Sequence, residues 1–200
     1  MNPKTLFQNC DFVLSVADLR QLPEAGRSEI AFAGRSNVGK SSLVNALTNR
    51  KTLAKTSNTP GRTQQLNYFD LGQGSMYLID MPGYGYAKVS KSLVKEWTKL
   101  IRKYLRGRPT LRCVFLLIDA RHGLKESDIE YMKLMDESAV SYRIILTKCD
   151  KVKNEDQEKV LKKTQAAIAK HGAAHPEISF TSSHKGYGIE ELREIVASYY

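Results

Sequence analysis

No apolar run in this 200-residue sequence is long enough to cross a bilayer. The longest, Cys113 to Ile118, falls far short of the roughly 20 residues that a membrane helix needs. A secretory signal is not expected either, because Asp11 and Asp18 interrupt the one candidate apolar stretch near the start. Cysteine is scarce. Cys10, Cys113 and Cys149 lie far apart and form no C-x-x-C pair, which argues against a disulfide framework or a zinc site and fits reduced thiols in a cytoplasmic setting. No Pro-, Gly- or Ser-rich linker, internal repeat or low-complexity tract divides the chain. A single domain is therefore expected over 1–200, with 1–27 as an N-terminal extension and 28–200 as the core. Acidic residues are in the minority, 21 against 31 Lys and Arg, and the net charge of +10 favours polyanionic partners.

Against these absences stands one complete motif. Gly34 to Ser41 read Gly-Arg-Ser-Asn-Val-Gly-Lys-Ser, a G-x-x-x-x-G-K-[ST] phosphate loop. Its glycines let successive backbone N–H groups turn toward phosphates, Lys40 reaches the β/γ-phosphates, and the Ser41 hydroxyl is placed for Mg²⁺. The apolar run Ile30 to Ala33 before it reads as a buried strand. Leu43, Val44 and Leu47 after it recur at helical spacing, so the loop would end on a helix N-terminus whose dipole favours anions.

Further strands are expected at Gln65–Asp70, Met76–Asp80, Arg112–Asp119, Arg143–Thr147 and Ile178–Thr181. Helices are expected at Gly39–Thr48, Val89–Arg106, Ser127–Glu137, Glu155–His171 and Ile189–Ser198. The alternation implies an α/β fold with a mostly parallel, doubly wound six-stranded sheet and helices on both faces. Gly72-Gln73-Gly74 between two strands reads as a hairpin, giving one antiparallel edge strand. Ligands of such sheets bind at the carboxyl ends of the strands, where every remaining motif falls.

Asp80-Met81-Pro82-Gly83 ends one strand. Its aspartate suits a Walker-B role toward Mg²⁺, directly or through water, and the Gly83 N–H suits a γ-phosphate oxygen. Thr147-Lys148-Cys149-Asp150 ends another and resembles the Asn-Lys-x-Asp element that reads guanine. A carboxylate such as Asp150 accepts from N1–H and N2–H₂ together, a donor pair that adenine lacks. Thr147 departs from the usual Asn, and a solvated charge pair is the plainer reading of Lys148 and Asp150. Thr181-Ser182-Ser183 resembles the Ser-Ala-Lys element at guanine O6. The polar stretch Thr56 to Gln64, basic at Lys55 and Arg62, reads as a loop with Thr63, or else Thr59, as the Mg²⁺-completing threonine.

In this order the motifs resemble a translation-factor-related P-loop GTPase, a G domain. More narrowly, Gly-Arg-Ser-Asn-Val-Gly-Lys-Ser-Ser, Thr-Pro-Gly-Arg-Thr-Gln, Asp-Met-Pro-Gly-Tyr-Gly-Tyr-Ala and Thr-Lys-Cys-Asp-Lys resemble the EngB (YihA/YsxC) family of bacterial GTPases over essentially the entire chain. The resemblance implies Mg²⁺-dependent binding of GTP and GDP, assembly of the large ribosomal subunit, and a requirement in cell division and septation. It assigns Mg²⁺ to Ser41 and Thr63, with Asp80 acting through water, and the reaction to Lys40, Thr63 and Gly83. It assigns nucleotide contacts to Gly34, Arg35, Ser36, Asn37, Val38, Gly39, Lys40, Ser41 and Ser42; to Gly61, Arg62, Thr63, Gln64 and Gln65; and to Asp80, Met81, Pro82 and Gly83. The base would meet Thr147, Lys148, Cys149, Asp150, Thr181, Ser182 and Ser183.

Two positions depart from Ras-like enzymes. Where those carry a glutamine that orients the attacking water, this chain has Tyr84, either an aromatic packing residue or an active one, and slow hydrolysis is expected in both cases. Asn37 either stabilises its own turn or recruits K⁺ beside the phosphates.

The charge is concentrated. Between Lys88 and Arg112 nine Lys and Arg residues face the single acid Glu96. On a helix, Lys91, Lys95, Lys99, Arg102 and Arg106 form one stripe, while Leu93, Val94, Trp97, Leu100, Ile101, Tyr104 and Leu105 take the opposite face. The stripe is either a solvated face or a surface for structured RNA, which the resemblance narrows to rRNA of the large-subunit precursor, bound by a monomer. A Ras-like signalling switch is the alternative. It lacks support because Val196 to Tyr200 holds no prenylation cysteine and Asn2 follows Met1. A metabolic kinase is disfavoured by Asp150.

Overall fold

The computed structural model describes residues 2–50, 53, 65–85 and 91–200, the side chains of 91–95 excepted. Its elements run α1 (Pro3–Gln8), β1 (Cys10–Val16), β2 (Ser28–Gly34), α2 (Lys40–Leu47), β3 (Leu66–Leu71), β4 (Met76–Asp80), α3 (Lys91–Gly107), β5 (Leu111–Asp119), α4 (Glu126–Glu137), β6 (Tyr142–Thr147), α5 (Asn154–Ile168), β7 (Ala174–Phe180) and α6 (Ile189–Ala197). The sheet order is β1-β3-β4-β2-β5-β6-β7. From β4 to β7 all neighbours are parallel, whereas β3 is antiparallel to both β4 and β1.

Two expectations are corrected here. The sheet has seven strands instead of six, because the segment ahead of Ser28 supplies β1. The antiparallel strand β3 is interior, and β1 is the edge. β1 escapes detection because its alternation fails: the register shifts between Phe12 and Leu14, and its outer position leaves Phe12 54% and Val13 43% exposed.

The central strands are apolar on both faces because helices cover both. On β2, Ile30 and Phe32 join the core formed with Leu6 and Phe7 of α1, Leu43 and Leu47 of α2, and Leu192 of α6. Ala31 and Ala33 point the other way, into the core with Ile101 of α3, Met132 of α4 and Ile168 of α5.

One buried acid locks α3 to this sheet. Glu29 is fully buried near the start of β2, at the end of the strand remote from the phosphate loop. It accepts from Tyr104 Oη (2.8 Å) and Tyr68 Oη (3.2 Å) on one carboxylate oxygen, and from Arg108 Nε (2.7 Å) and Thr110 Oγ1 (3.0 Å) on the other. A buried charge with four donors is tolerable, while removing one member of such a pair costs about 3–5 kcal/mol. Burial, and next the Glu29 charge, push both the Tyr104 and Tyr68 hydroxyls well above the usual phenol range, so both remain donors. Among the described residues no helix is long and apolar enough to cross a membrane.

Candidate nucleotide site

The phosphate loop leaves β2 at Gly34 and enters α2 at Lys40. No side chain fits at Gly34, where a Cβ would stand 2.9 Å from Val38 Cγ1 and 3.0 Å from the Leu117 carbonyl oxygen. Asn37 (φ 61°) and Gly39 (φ 103°) take left-handed backbone, the curl that turns N–H groups inward to make an anion-binding hollow. Ser41 and Ser42 follow in the first turn of α2. The Lys40 ammonium contacts the Asp80 carboxylate, which joins the phosphate loop to the end of β4.

The turn after Asp80 lies directly against the loop. A Cβ on Gly83 would stand 3.4 Å from Ser36 N, the Ser36 amide donates to the Tyr84 carbonyl (3.0 Å), and the Tyr84 amide donates to the Gly34 carbonyl (3.3 Å). Met81 and Pro82 are buried beneath the turn. The Tyr84 phenol donates to Asp128 Oδ1 of α4 (2.8 Å), and its ring stacks on Tyr131 at 4.5 Å. Burial, with the Asp128 charge, raises the phenol well above its ordinary range, and burial likewise raises the Asp128 carboxyl. The Tyr84 side chain is thus held by α4 through both its ring and its hydroxyl.

The motifs that the sequence assigns to the base meet on the other side of the loop. Thr147 donates its hydroxyl to the Val38 carbonyl (2.7 Å), and Lys148 Nζ donates to the Asn37 carbonyl (2.6 Å). The departure from Asn thus has a physical outcome: the single hydroxyl proton clamps the phosphate loop. Asp119, at the end of β5, accepts from Lys148 at 3.0 Å and from Arg121 at 2.7 and 2.9 Å. Burial opposes the Asp119 charge, yet these hydrogen bonds hold the carboxyl below the usual range. Asp150 Oδ1 accepts from Ser182 Oγ (2.7 Å), which lowers its carboxyl and keeps it an ionised acceptor. The Cys149 amide donates to the Thr181 carbonyl (3.2 Å), so Thr181, Ser182 and the following Ser183 are tied to the Asp150 turn. Burial raises the Cys149 thiol.

The structure therefore brings together Gly34 to Ser42, Asp80 to Gly83, Thr147 to Asp150 and Thr181 to Ser183. Gln65 is exposed just ahead of β3, whereas Gly61, Arg62, Thr63, Gln64 and Thr59 lie outside the described residues. Among the described residues no three His, Cys, Asp or Glu side chains converge on a metal position. Ser41 and Asp80 offer the hard oxygen donors that Mg²⁺ takes beside substrate phosphates and water. The two residues missed from sequence are Asp119 and Asp128. Asp119 ends an apolar strand just as Asp80 does, a signal that was available. Asp128 carries none.

Comparison with known proteins decides the family. A model described as 50S ribosome-binding GTPase matches residues 29–148, and one described as the elongation factor Tu GTP-binding domain matches 98–200. A probable GTP-binding protein EngB from Rhodospirillum rubrum is 58% identical over 195 residues, covering 96% of this chain and 84% of the relative. Its counterpart from Hyphomonas neptunium is 57% identical over 190 residues, covering 94% and 86%. This chain belongs to the EngB family of GTP-binding proteins. A crystal structure of a probable EngB GTP-binding protein superposes with a TM-score of 0.67 at 23% identity, covering 86% of this chain and 98% of that one. Era in complex with MgGDPNP and nucleotides 1506–1542 of 16S ribosomal RNA superposes with a TM-score of 0.65 at 24% identity, covering 88% and 57%. At such identities the likeness concerns the G-domain fold.

Proposed function

We propose that this chain is a GTP-switched assembly factor for the large ribosomal subunit, hydrolysing GTP slowly with Mg²⁺ and needed for normal cell division and septation. It acts as a cytoplasmic monomer formed by one G domain. The observation that carries the reading is the sidedness of α3, the helix that follows the Asp80–Gly83 turn in the chain. Trp97, Ile101, Tyr104 and Leu105 are buried against the sheet, whereas Lys99, Arg102, Lys103 and Arg106 are exposed. The side chains of Lys91 and Lys95 lie outside the described residues. Arg102 and Arg106 stand 3.5 and 3.7 Å from Glu137 of α4, so the stripe carries one acid on its flank.

In the reaction, the Lys40 ammonium moves from Asp80 to the β/γ-phosphates, and the Gly83 N–H meets the developing charge on the γ-phosphate. Ser41 and Thr63, with Asp80 through water, would hold Mg²⁺, which would supply neutralisation of phosphate charge. With its phenol given to Asp128, Tyr84 does not orient the water, and turnover falls far below the ~1 to 10³ s⁻¹ of typical enzymes. Ribosomal particles raise it, aided by K⁺ at Asn37. The family model's description supports the ribosomal partner.

The test is sedimentation of the full chain with ribosomal particles in GTP or GDP. Wild type co-sediments with large-subunit particles in GTP, and Lys95→Glu with Lys99→Glu abolishes this while leaving GTP binding intact. Unchanged co-sedimentation of the charge-reversed protein would reduce the stripe to a solvated face.

A further inference from the structure

Helix α4 grips the turn that follows Asp80 at two points. Asp128 and Tyr131 are three residues apart and so share one face of α4. Asp128 Oδ1 takes the Tyr84 hydroxyl proton at 2.8 Å, while its Oδ2 accepts from the Lys125 amide (2.8 Å) and caps the helix. Tyr131 stacks on the Tyr84 ring and donates its own hydroxyl to Met81 Sδ at 3.6 Å. Gly83 lies between these two held residues, and its backbone lies against Ser36 of the phosphate loop. Asp128 is 1% exposed and Tyr131 7%, so both anchors on α4 are buried.

We propose that the Tyr84–Asp128 hydrogen bond is a positioning device that sets the Gly83 N–H toward the γ-phosphate, so that α4 supplies in this chain what a water-orienting side chain supplies elsewhere. The proposal rests on the GTPase reading above and deepens it. Tyr84 and Asp128 are positioning residues, for neither reaches the substrate. Because the Gly83 N–H meets only the γ-phosphate, the device acts on GTP and leaves GDP alone. A group that served stability alone would change both nucleotides together.

The test uses full-length protein carrying Tyr84→Phe, Asp128→Asn or both, with GDP and a non-hydrolysable GTP analogue titrated separately and single-turnover hydrolysis measured. Tyr84→Phe keeps the stacked ring and so retains the fold. It should lower the hydrolysis rate about tenfold and weaken the GTP analogue relative to GDP, since a hydrogen bond to a charged group is at stake. The double variant should be no slower than the slower single variant, the mark of two residues acting through one bond. Wild-type hydrolysis in Tyr84→Phe with an unchanged GTP-to-GDP affinity ratio would overturn the proposal, as would fully additive rate losses. Failure of wild-type protein to bind GDP at all would instead overturn the underlying GTPase reading, which separates the two outcomes.

Discussion

The two halves of the proposed site, one for the base and one for the γ-phosphate, are held in different ways. Around the base, Thr147, Lys148 and Asp150 stand at and just beyond the end of β6 and bond directly to the phosphate loop, to Asp119 at the end of β5, and to the loop after β7. Each tie joins strand ends of the same sheet. Around Gly83, the turn is held by backbone bonds to the phosphate loop and by α4, a helix packed on one face of that sheet. On the proposed reading, guanine recognition is built on the sheet itself, and the γ-phosphate contact on a turn held by a helix.

The comparison breaks most severely at Asp150. Asp150→Asn should weaken GTP and GDP together by about a thousandfold or more, because the guanine donors would meet an amide that offers a donor of its own. Xanthine nucleotides should gain, since the new amide donates to the 2-oxo group. Equal affinities of wild-type protein for ATP and GTP in the same titration would refute the assignment of this half.

Next in size is a change outside both halves. Glu29→Gln leaves Arg108 buried without its counter-charge and should cost about 3 kcal/mol or more. At roughly 2–4 °C per kcal/mol for a chain of this length, the melting temperature should fall by roughly 6–12 °C. The ratio of GTP to ATP affinity should not move, because Glu29 lies at the far end of β2. A changed ratio would mean that the two ends of the sheet are coupled.

How far these halves were legible in the sequence follows the same division. Phosphate loop, Asp80 turn, Asp150 turn and Thr181 to Ser183 were readable because each is a local pattern at the end of an apolar strand. The helices α2 to α6 were readable from their period, whereas α1, a six-residue helix that puts Leu6 and Phe7 into the core, was too short to show one. What was hidden depends on partners remote in sequence: Glu29 looks like a polar interruption of β2 until Tyr68, Tyr104 and Arg108 surround it, and Asp128 is 44 residues from Tyr84. β1 was hidden by its own irregularity, since an edge strand with a register shift shows no period of two.

A milder break concerns the clamp itself. Thr147→Val removes the proton given to the Val38 carbonyl and should weaken GTP and GDP equally, by about fivefold, the effect of a net hydrogen bond near 1 kcal/mol. Equality is the point. The rigid half carries both nucleotides, whereas Tyr84→Phe should act on GTP alone. A Thr147→Val effect confined to GTP would erase the distinction between the halves.

The smallest effect is expected where α4 meets the basic stripe. Glu137 ends the helix whose first turns hold Tyr84 and Met81, and it lies 3.5 Å from Arg102 and 3.7 Å from Arg106, all three side chains about half exposed. Exposed pairs of this kind are worth about 0–1 kcal/mol, so Glu137→Gln should raise affinity for a large-subunit rRNA fragment about two- to fivefold at low salt. The gain should fade as salt rises, since screening shortens the reach of exposed charges. If α4 also shifts with the nucleotide, the gain in GDP should differ from the gain in GTP, because the acid would stand at different distances from the two arginines. An equal gain in both nucleotides would leave Glu137 as a fixed neighbour of the stripe. No gain at low salt would mean that Arg102 and Arg106 take no part in binding RNA, leaving Lys99 and Lys103 to carry it.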